Sequence, residues 1–460
     1  MLLLKPKYLS TKKDCIKWHS LFLLIFLWAT DLGAQEIYDL ERCVTTGLEQ
    51  NFTVKVARNN AQMADNNVTI GNAGFLPTLS ASGRLGGNVN STVQNMNDDT
   101  KKETSGVHNT TGSAGINFSM PLFRGFNVQT SWQKLHELNR MGELNVQMSM
   151  ENLVAQIVSE YYYYIQQLNY QNNMKYAVSL SRERVRIDEE RYLLGSSSKL
   201  ELLQSVVYLN ADSSRLARQN EAILESEVRL KKLMALENIE ENIQVADTSI
   251  AVNPNLLYAE LLEMTLVRNT GLQMAKKNQL ISELDYKIIA SRSYPYLNLT
   301  SGYNYGYRGY GSGTLGDYGE RSLKNQHNRT FDYGITLGMD IFDGFNRRRE
   351  KANATIEIEN KVHRYQEVEQ DIKAELLTIY YAYENNLRLL QLEEQNLGVA
   401  RENLEIAMER YRLGALSGLE LREVQKSLLD AEERLISVKF QTKLAEISLL
   451  QMAGKIMDYV

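Results

Sequence analysis

The sequence predicts a mixed α+β membrane protein: an internally duplicated chain with four transmembrane β-strands and long α-helical hairpins. Three observations predict it. The chain repeats itself once at a nearly fixed offset, two long stretches are free of proline, and each copy carries two segments that alternate with period two.

The chain has 460 residues, 43% hydrophobic and 23% charged, with a mean hydropathy of −0.36. Its 51 basic and 56 acidic residues give a net charge of −5 with no basic stripe, which excludes a nucleic-acid partner. The longest uncharged apolar run, Leu21 to Thr30, is too short for a bilayer-spanning helix, which needs roughly 20 residues. An inner-membrane transporter is therefore excluded.

The N-terminus reads as an export signal. Lys5, Lys7, Lys12, Lys13 and Lys17 precede an apolar stretch from Leu21 to Ala29, and the small residues Gly33 and Ala34 follow. Cleavage is expected after Ala34, leaving residues 35–253 and 254–460 as two structural repeats. Loss of 1–34 removes five Lys and two Asp, which takes the net charge from −5 to −8. Cys15 leaves with the signal and Cys43 stays alone, so no disulfide framework is possible.

The duplication is the strongest signal. Gly115-Ile-Asn-Phe-Ser-Met-Pro-Leu-Phe-Arg-Gly-Phe-Asn127 matches Gly334-Ile-Thr-Leu-Gly-Met-Asp-Ile-Phe-Asp-Gly-Phe-Asn346 at seven of thirteen positions, offset 219. The same offset pairs Tyr161 with Tyr380, Tyr164 with Tyr383, Glu190-Arg-Tyr192 with Glu409-Arg-Tyr411, and Leu194-Gly195 with Leu413-Gly414.

Each copy opens with short helices, expected at 40–50 and 53–74, and at 256–268 and 270–290. Strands follow at 78–90 and 113–123 in the first copy and at 297–308 and 331–342 in the second. Ile116, Phe118, Met120 and Leu122 share one face, as do Phe331, Tyr333, Ile335, Leu337, Met339 and Ile341. Strands of this length, apolar on one side and small or polar on the other, suit a transmembrane barrel with a wet lumen; residues 90–110 and 308–330 read as polar loops. Four strands cannot close a barrel, since the smallest have about eight, so several chains must complete one.

Residues 122–253 and 296–460 contain no proline, and Gly142 and Gly398 are each isolated within them. Apolar residues recur at three- and four-residue steps, as in Leu153, Ile157, Tyr161 and Tyr164, among Glu, Gln, Lys and Arg. Helical hairpins are expected at 126–238 and 345–455, turning at Gly195-Ser-Ser-Ser198 and Gly414-Ala-Leu-Ser417. The outward arm, at 1.5 Å per residue, is about 100 Å long. Enzyme readings find no support: no histidine pair has metal-ligand spacing, no nucleophile triad or phosphate-binding loop appears, and no cofactor is expected. The run Tyr161 to Tyr164 reads as interface packing.

Taken together, Phe75-Leu-Pro-Thr-Leu79, Met120-Pro-Leu-Phe-Arg-Gly125, Met339-Asp-Ile-Phe-Asp-Gly344 and the paired Arg-Tyr-x-Leu-Gly tips at Arg191 and Arg410 resemble the TolC family of outer-membrane efflux proteins. The resemblance covers essentially the whole mature chain. It implies a homotrimer whose twelve strands form one β-barrel continuous with a periplasmic α-helical barrel. It also implies a periplasmic adaptor (a membrane fusion protein), an inner-membrane transporter and the bilayer of the outer membrane as partners. The function implied is a passive exit duct of a tripartite efflux or secretion system. A type I protein-secretion duct is an alternative within that class. A non-conducting exported coiled-coil spacer or adhesin is the alternative outside it.

The resemblance places the narrow periplasmic mouth just past the tips, at Glu201, Tyr411, Glu420 and Glu423, where three-fold rings of carboxylate would attract cations. Ser198-x-x-Glu201 and Ser417-x-x-Glu420 also read as capping boxes, so both roles are open to these residues. Family members bond a Tyr before one tip and an Arg after it to an acid of the neighbouring hairpin. Tyr411 and Glu201 match, but Leu416 stands where the Arg would be, leaving Arg412, Lys199 or Arg422 as substitutes. Arg191, Leu194, Gly195, Arg410, Leu413 and Gly414 are the expected adaptor-docking tips.

Overall fold

A computed structural model describes residues 37–240, 242–311 and 324–459; the expected signal peptide at 1–34 lies outside them, as does part of the loop expected at 308–330. In chain order the elements are β1 (Ile37–Tyr38), α1 (Leu40–Gln50), α2 (Phe52–Asn66), β2 (Thr78–Asn95), β3 (Lys101–Arg124), α3 (Asn127–Leu193) and α4 (Lys199–Met234). Then follow β4 (Gln244–Val245), α5 (Tyr258–Arg268), α6 (Thr270–Ser291), β5 (Tyr296–Gly309), β6 (Asn325–Gly338), α7 (Asn346–Arg412), α8 (Gly418–Met452) and a 3₁₀ turn, Ile456–Tyr459. No helix among the described residues is long and apolar enough to cross a membrane.

The chain forms two compact units that cut across the two sequence copies. Among the described residues, one takes in those up to Lys55, Met150–Thr265 and those from Glu375; the other takes in Val56–Ser149 and Leu266–Ala374.

The second unit holds a four-stranded antiparallel sheet in the order β2-β3-β5-β6. Its register sorts the side chains cleanly. Leu79 lies opposite Phe118, Met120 opposite Leu299, Ile116 opposite Tyr303, Leu299 opposite Ile335 and Leu297 opposite Leu337, which builds one apolar face. The alternate positions, Ser80 with Asn117, Ser119 with Thr300, and Thr300 with Gly334, build a polar face of hydroxyls, amides and glycine. Because strand side chains alternate in direction, one register fixes both faces at once. Strands β2 and β6 are the sheet edges.

Three strand expectations are corrected. Residues 90–110 are not mainly loop: β2 continues to Asn95 and β3 starts at Lys101 rather than 113, with a tight turn closed by Met96 O accepting from Asp99 N and Met96 N donating to Thr100 O. Asn, Ser and Thr occupy both faces there, so no hydrophobic alternation marks the strands; the backbone ladder holds them, with Ser91 Oγ also accepting from Gly106 N at 3.2 Å. Strand β6 begins at Asn325 and stops at Gly338, leaving Met339 and Ile341 outside it. Its partner β5 starts at Tyr296, directly after Pro295, which has no N–H to extend the ladder. Leu122 leaves the apolar face because the register shifts between Pro121 and Phe123, so that Phe123 takes the place opposite Leu297. Helix α2 also ends at Asn66, eight residues before the expected 74.

The first unit is packed around Cys43, Val44, Val154, Ile157, Tyr161, Leu230, Ile447 and Ile456. Burial pushes the Cys43 thiol up to about 12. The tyrosine run packs as expected from its spacing: Tyr161 is fully buried and donates to Asp247 at 2.9 Å, while Tyr163 meets Phe440. Two carboxylates related by the duplication, Glu227 and Glu446, each accept a backbone N–H from the segment that follows the first hairpin, Ile243 at 3.0 Å and Asn253 at 3.1 Å. Each is paired with a buried lysine, Lys231 at 2.6 Å and Lys443 at 3.0 Å. Those charges are therefore satisfied on both sides, as burial requires.

Candidate functional site

Both helical hairpins turn within the first unit, and their turns are built alike. In the first, Gly195 N donates to Tyr192 O and Ser196 N to Arg191 O, at 3.0 and 2.9 Å; in the second, Gly414 N donates to Tyr411 O and Ala415 N to Arg410 O, at 3.0 and 2.9 Å. This paired pattern is the Schellman motif, whose C′ residue is left-handed. Gly195 and Gly414 take that place with φ of +74° and +79°. The turn projects its leucines into solvent: Leu194 is 83% exposed and Leu413 84%.

The returning helices α4 and α8 start on serine caps. Ser417 and Glu420 form a reciprocal capping box: Glu420 N donates to Ser417 Oγ at 3.2 Å, and Ser417 N donates to the Glu420 carboxylate at 2.9 Å. The Ser417 hydroxyl and backbone bonds hold the Glu420 carboxyl below its usual range. In the first copy, Ser198 Oγ accepts from Glu201 N at 3.3 Å, but the Glu201 carboxylate accepts from the Ser197 hydroxyl. Glu423 is exposed one turn beyond Glu420.

Between the hairpins lies a network of buried charge. Tyr411 is buried and donates its phenolic hydrogen to Asp188 of α3, which also faces Arg184 Nε at 3.7 Å. Burial, reinforced by the negative Asp188, pushes the Tyr411 phenol up to about 12. Arg191 donates to the Tyr411 carbonyl and stacks over the Tyr411 ring at 4.5 Å. One turn into α8, Arg422 grips Asp212 of α4 in a two-pronged pair at 2.8 and 2.9 Å, and Ser181 donates to the same carboxylate at 2.5 Å. Burial opposes the charge on Asp212, yet the Arg422 and Ser181 bonds outweigh it and lower its pKa. The Tyr208 ring sits between Arg184 at 5.1 Å and Arg422 at 5.0 Å.

The expected pairing of Tyr411 with Glu201 is therefore not present within the chain: Tyr411 turns to Asp188 and Glu201 to Ser197. Of the three substitutes for the missing arginine, Arg422 makes the strong inter-hairpin pair, Arg412 reaches Glu183 at 3.7 Å, and Lys199 is exposed. Arg410 is exposed and donates to Ala415 O at 3.4 Å. Sequence reasoning missed Asp188, Asp212, Arg184, Ser181 and Tyr208. No group of three or more His, Cys, Asp or Glu side chains among the described residues could hold a metal ion.

Comparison with known proteins agrees with this architecture. The sequence pattern of the family described as outer membrane efflux protein matches residues 45–236 and 261–455. Outer membrane protein TolC of Vibrio cholerae serotype O1 is 22% identical over 364 residues, which cover 75% of this chain and 77% of that protein. The Campylobacter jejuni CmeC outer membrane channel superposes with a TM-score of 0.70 at 16% identity, covering 90% of this chain and 85% of CmeC. The outer membrane protein VceC from Vibrio cholerae superposes with a TM-score of 0.68 at 16% identity, covering 90% of this chain and 96% of VceC. At such identities the structural likeness speaks for the fold.

Proposed function

The chain belongs to the outer membrane efflux protein family, and from that premise we propose that three copies assemble into an outer-membrane exit channel that receives cargo from an inner-membrane transporter through a periplasmic adaptor. The observation that carries the reading is the two-faced sheet with two open edges. An apolar face suits lipid and a face of Ser, Thr, Asn and Gly suits water, and no open sheet edge is tolerated in hydrocarbon. Strands β2 and β6 are the edges of a four-stranded sheet. Joining β6 of one copy to β2 of the next closes the ring, and three copies of four strands make twelve. A spacer or adhesin has no use for a polar inner face.

The tips supply the docking chemistry. Exposed Leu194 and Leu413, on turns fixed by Gly195 and Gly414 and flanked by Arg191 and Arg410, offer an adaptor two similar apolar knobs with cationic rims. Glu420 and Glu423 form the acidic mouth, with Glu201 beside it. The Tyr411–Asp188 and Arg422–Asp212 contacts hold the two hairpins of one protomer together and set the resting width of that mouth. Cargo is chosen by the transporter, because the polar wall offers no specific ligand set.

Cross-linking of detergent-extracted outer membranes tests the assembly. Trimers are expected; a monomer released with the soluble periplasmic fraction overturns the reading.

A further inference from the structure

We propose that residues 341–349 bind the headgroup phosphate of an anionic phospholipid, with Phe342 and Phe345 at the acyl boundary and Arg348 and Arg349 on the phosphate. The inference rests on the membrane reading above and places the lipid in the leaflet that faces the periplasm, where helix α7 leaves the sheet.

The apolar side chains do not stop with β6. Ile341, Phe342 and Phe345 follow it at 92%, 72% and 67% exposure. Phe342 and Phe345 meet edge to face at 5.3 Å, and the same clasp recurs in the first copy between Phe123 and Phe126 at 5.3 Å. Both clasps are held by a strained backbone: Gly344 and Phe345 have φ of +68° and +64°, and Gly125 and Phe126 have +58° and +67°. A bulky residue at positive φ is uncommon, and here it keeps an aromatic ring on the surface. Exposed rings at a polar–apolar boundary suit a membrane interface.

What distinguishes the second copy is charge. The first turn of α7 carries Arg347, Arg348 and Arg349 and no acid, although a helix N-terminus is a positive pole that disfavours cations. Arg347 is neutralised by Asp343 at 2.9 Å, and the neighbouring Glu350 pairs with Arg292 at 2.9 Å. Arg349 touches only the Asn346 amide oxygen, at 3.4 Å, and Arg348 is exposed with no partner among the described residues. Asp340 is exposed on the strand side of the clasp. The equivalent residues of the first copy are Gln129 and Thr130, so the molecule contains a partial control: the same clasp with one cation, the exposed Arg124 that stands where the second copy has Asp343, and without the two helix arginines.

The test incubates detergent-purified trimers with equimolar phosphatidylglycerol, phosphatidylethanolamine and lipid A and counts each bound lipid by native mass spectrometry. A cation near an anionic lipid surface favours binding by roughly five-fold, so two give about 25-fold. Wild type is expected to prefer phosphatidylglycerol by that order. Arg348→Gln with Arg349→Thr is expected to erase the preference with an unchanged melting curve, and Gln129→Arg with Thr130→Arg to add a second preferred site. Phe342→Ala with Phe345→Ala is expected to weaken both lipids alike. Equal phosphatidylglycerol binding by wild type and the arginine-less variant overturns the inference, as does a loss confined to lipid A, the anionic lipid of the other leaflet. Either result leaves a bilayer-inserted trimer standing, whereas a protein that does not enter bilayers at all sinks the membrane reading with it.

Discussion

Tyr411, the tyrosine of the second hairpin's Arg-Tyr-x-Leu-Gly turn, donates its hydroxyl hydrogen to Asp188 of the first hairpin, and both side chains are buried. The bond crosses between hairpins at the point where the two turns come together, so it is a joint as well as a packing contact.

Removing it should loosen that joint. Tyr411→Phe leaves the buried Asp188 carboxylate short of a donor, a loss of about 1–3 kcal/mol. A lower melting temperature is expected, together with a larger single-channel conductance in planar bilayers. An unchanged conductance would show that the joint does not set the width of the mouth.

The same bond makes a pH prediction. The Tyr411 phenol is raised to about 12 in the fold, against about 10 in an unfolded chain. Its contribution to stability is complete below pH 10 and is lost as pH rises from about 10 to 12, because only the unfolded state releases the proton in that window. Melting curves across this range should fall more steeply for wild type than for Tyr411→Phe.

The Arg422–Asp212 pair predicts a double-mutant cycle. Arg422→Met alone leaves the buried carboxylate only the Ser181 hydroxyl and Arg215 at 3.6 Å, and is expected to cost about 3 kcal/mol, the low end for a broken buried pair. Asp212→Ala added to it should recover most of that loss, since the equivalent position of the second copy is already a buried alanine, Ala431. Additive losses in urea unfolding would mean that the two side chains act independently.

At the turns, Gly195→Val has open space around the new Cβ, so its whole cost is the left-handed backbone, about 1–2 kcal/mol. Gly414→Val behaves alike, its nearest neighbour being Arg191 at 3.8 Å. Both variants should form trimers yet lose export in a whole-cell efflux assay. Wild-type export from both would remove the tips from adaptor docking.

Glu420→Gln combined with Glu423→Gln should keep the fold, because Gln also closes a capping box with Ser417. Cation selectivity and block by multivalent cations should both fall in single-channel recordings. If they do not, capping is the whole duty of Glu420.

The duplication, the strand cores and the turn glycines were legible because each rests on a repeated local pattern. The extension of β2 and β3 beyond residue 90 was not, since Asn90, Ser91, Thr92, Ser105 and Asn109 give neither face a hydrophobic signature. Glu201 and Tyr411 were found as individuals, but within the chain they bond to Ser197 and Asp188, neither of which the resemblance named. Asp188 and Asp212 were invisible among many helix acids. Subtracting one copy from the other would have exposed them: their counterparts are Ala407 and Ala431, so each acid replaces a buried methyl.

The interleaving of the two copies has a consequence for the order of synthesis. The first unit packs Cys43 and Val44 into one core with Ile447 and Ile456, which follow them by about 400 residues of chain. A nascent chain that has reached residue 440 still lacks the residues that complete this core, however long it waits. The core of the first unit therefore cannot close until the segment carrying Ile447 and Ile456 has been made, although the second unit is complete by Ala374, and a nonsense codon before Ile447 should yield a product whose first unit is protease-labile rather than a shortened, folded one.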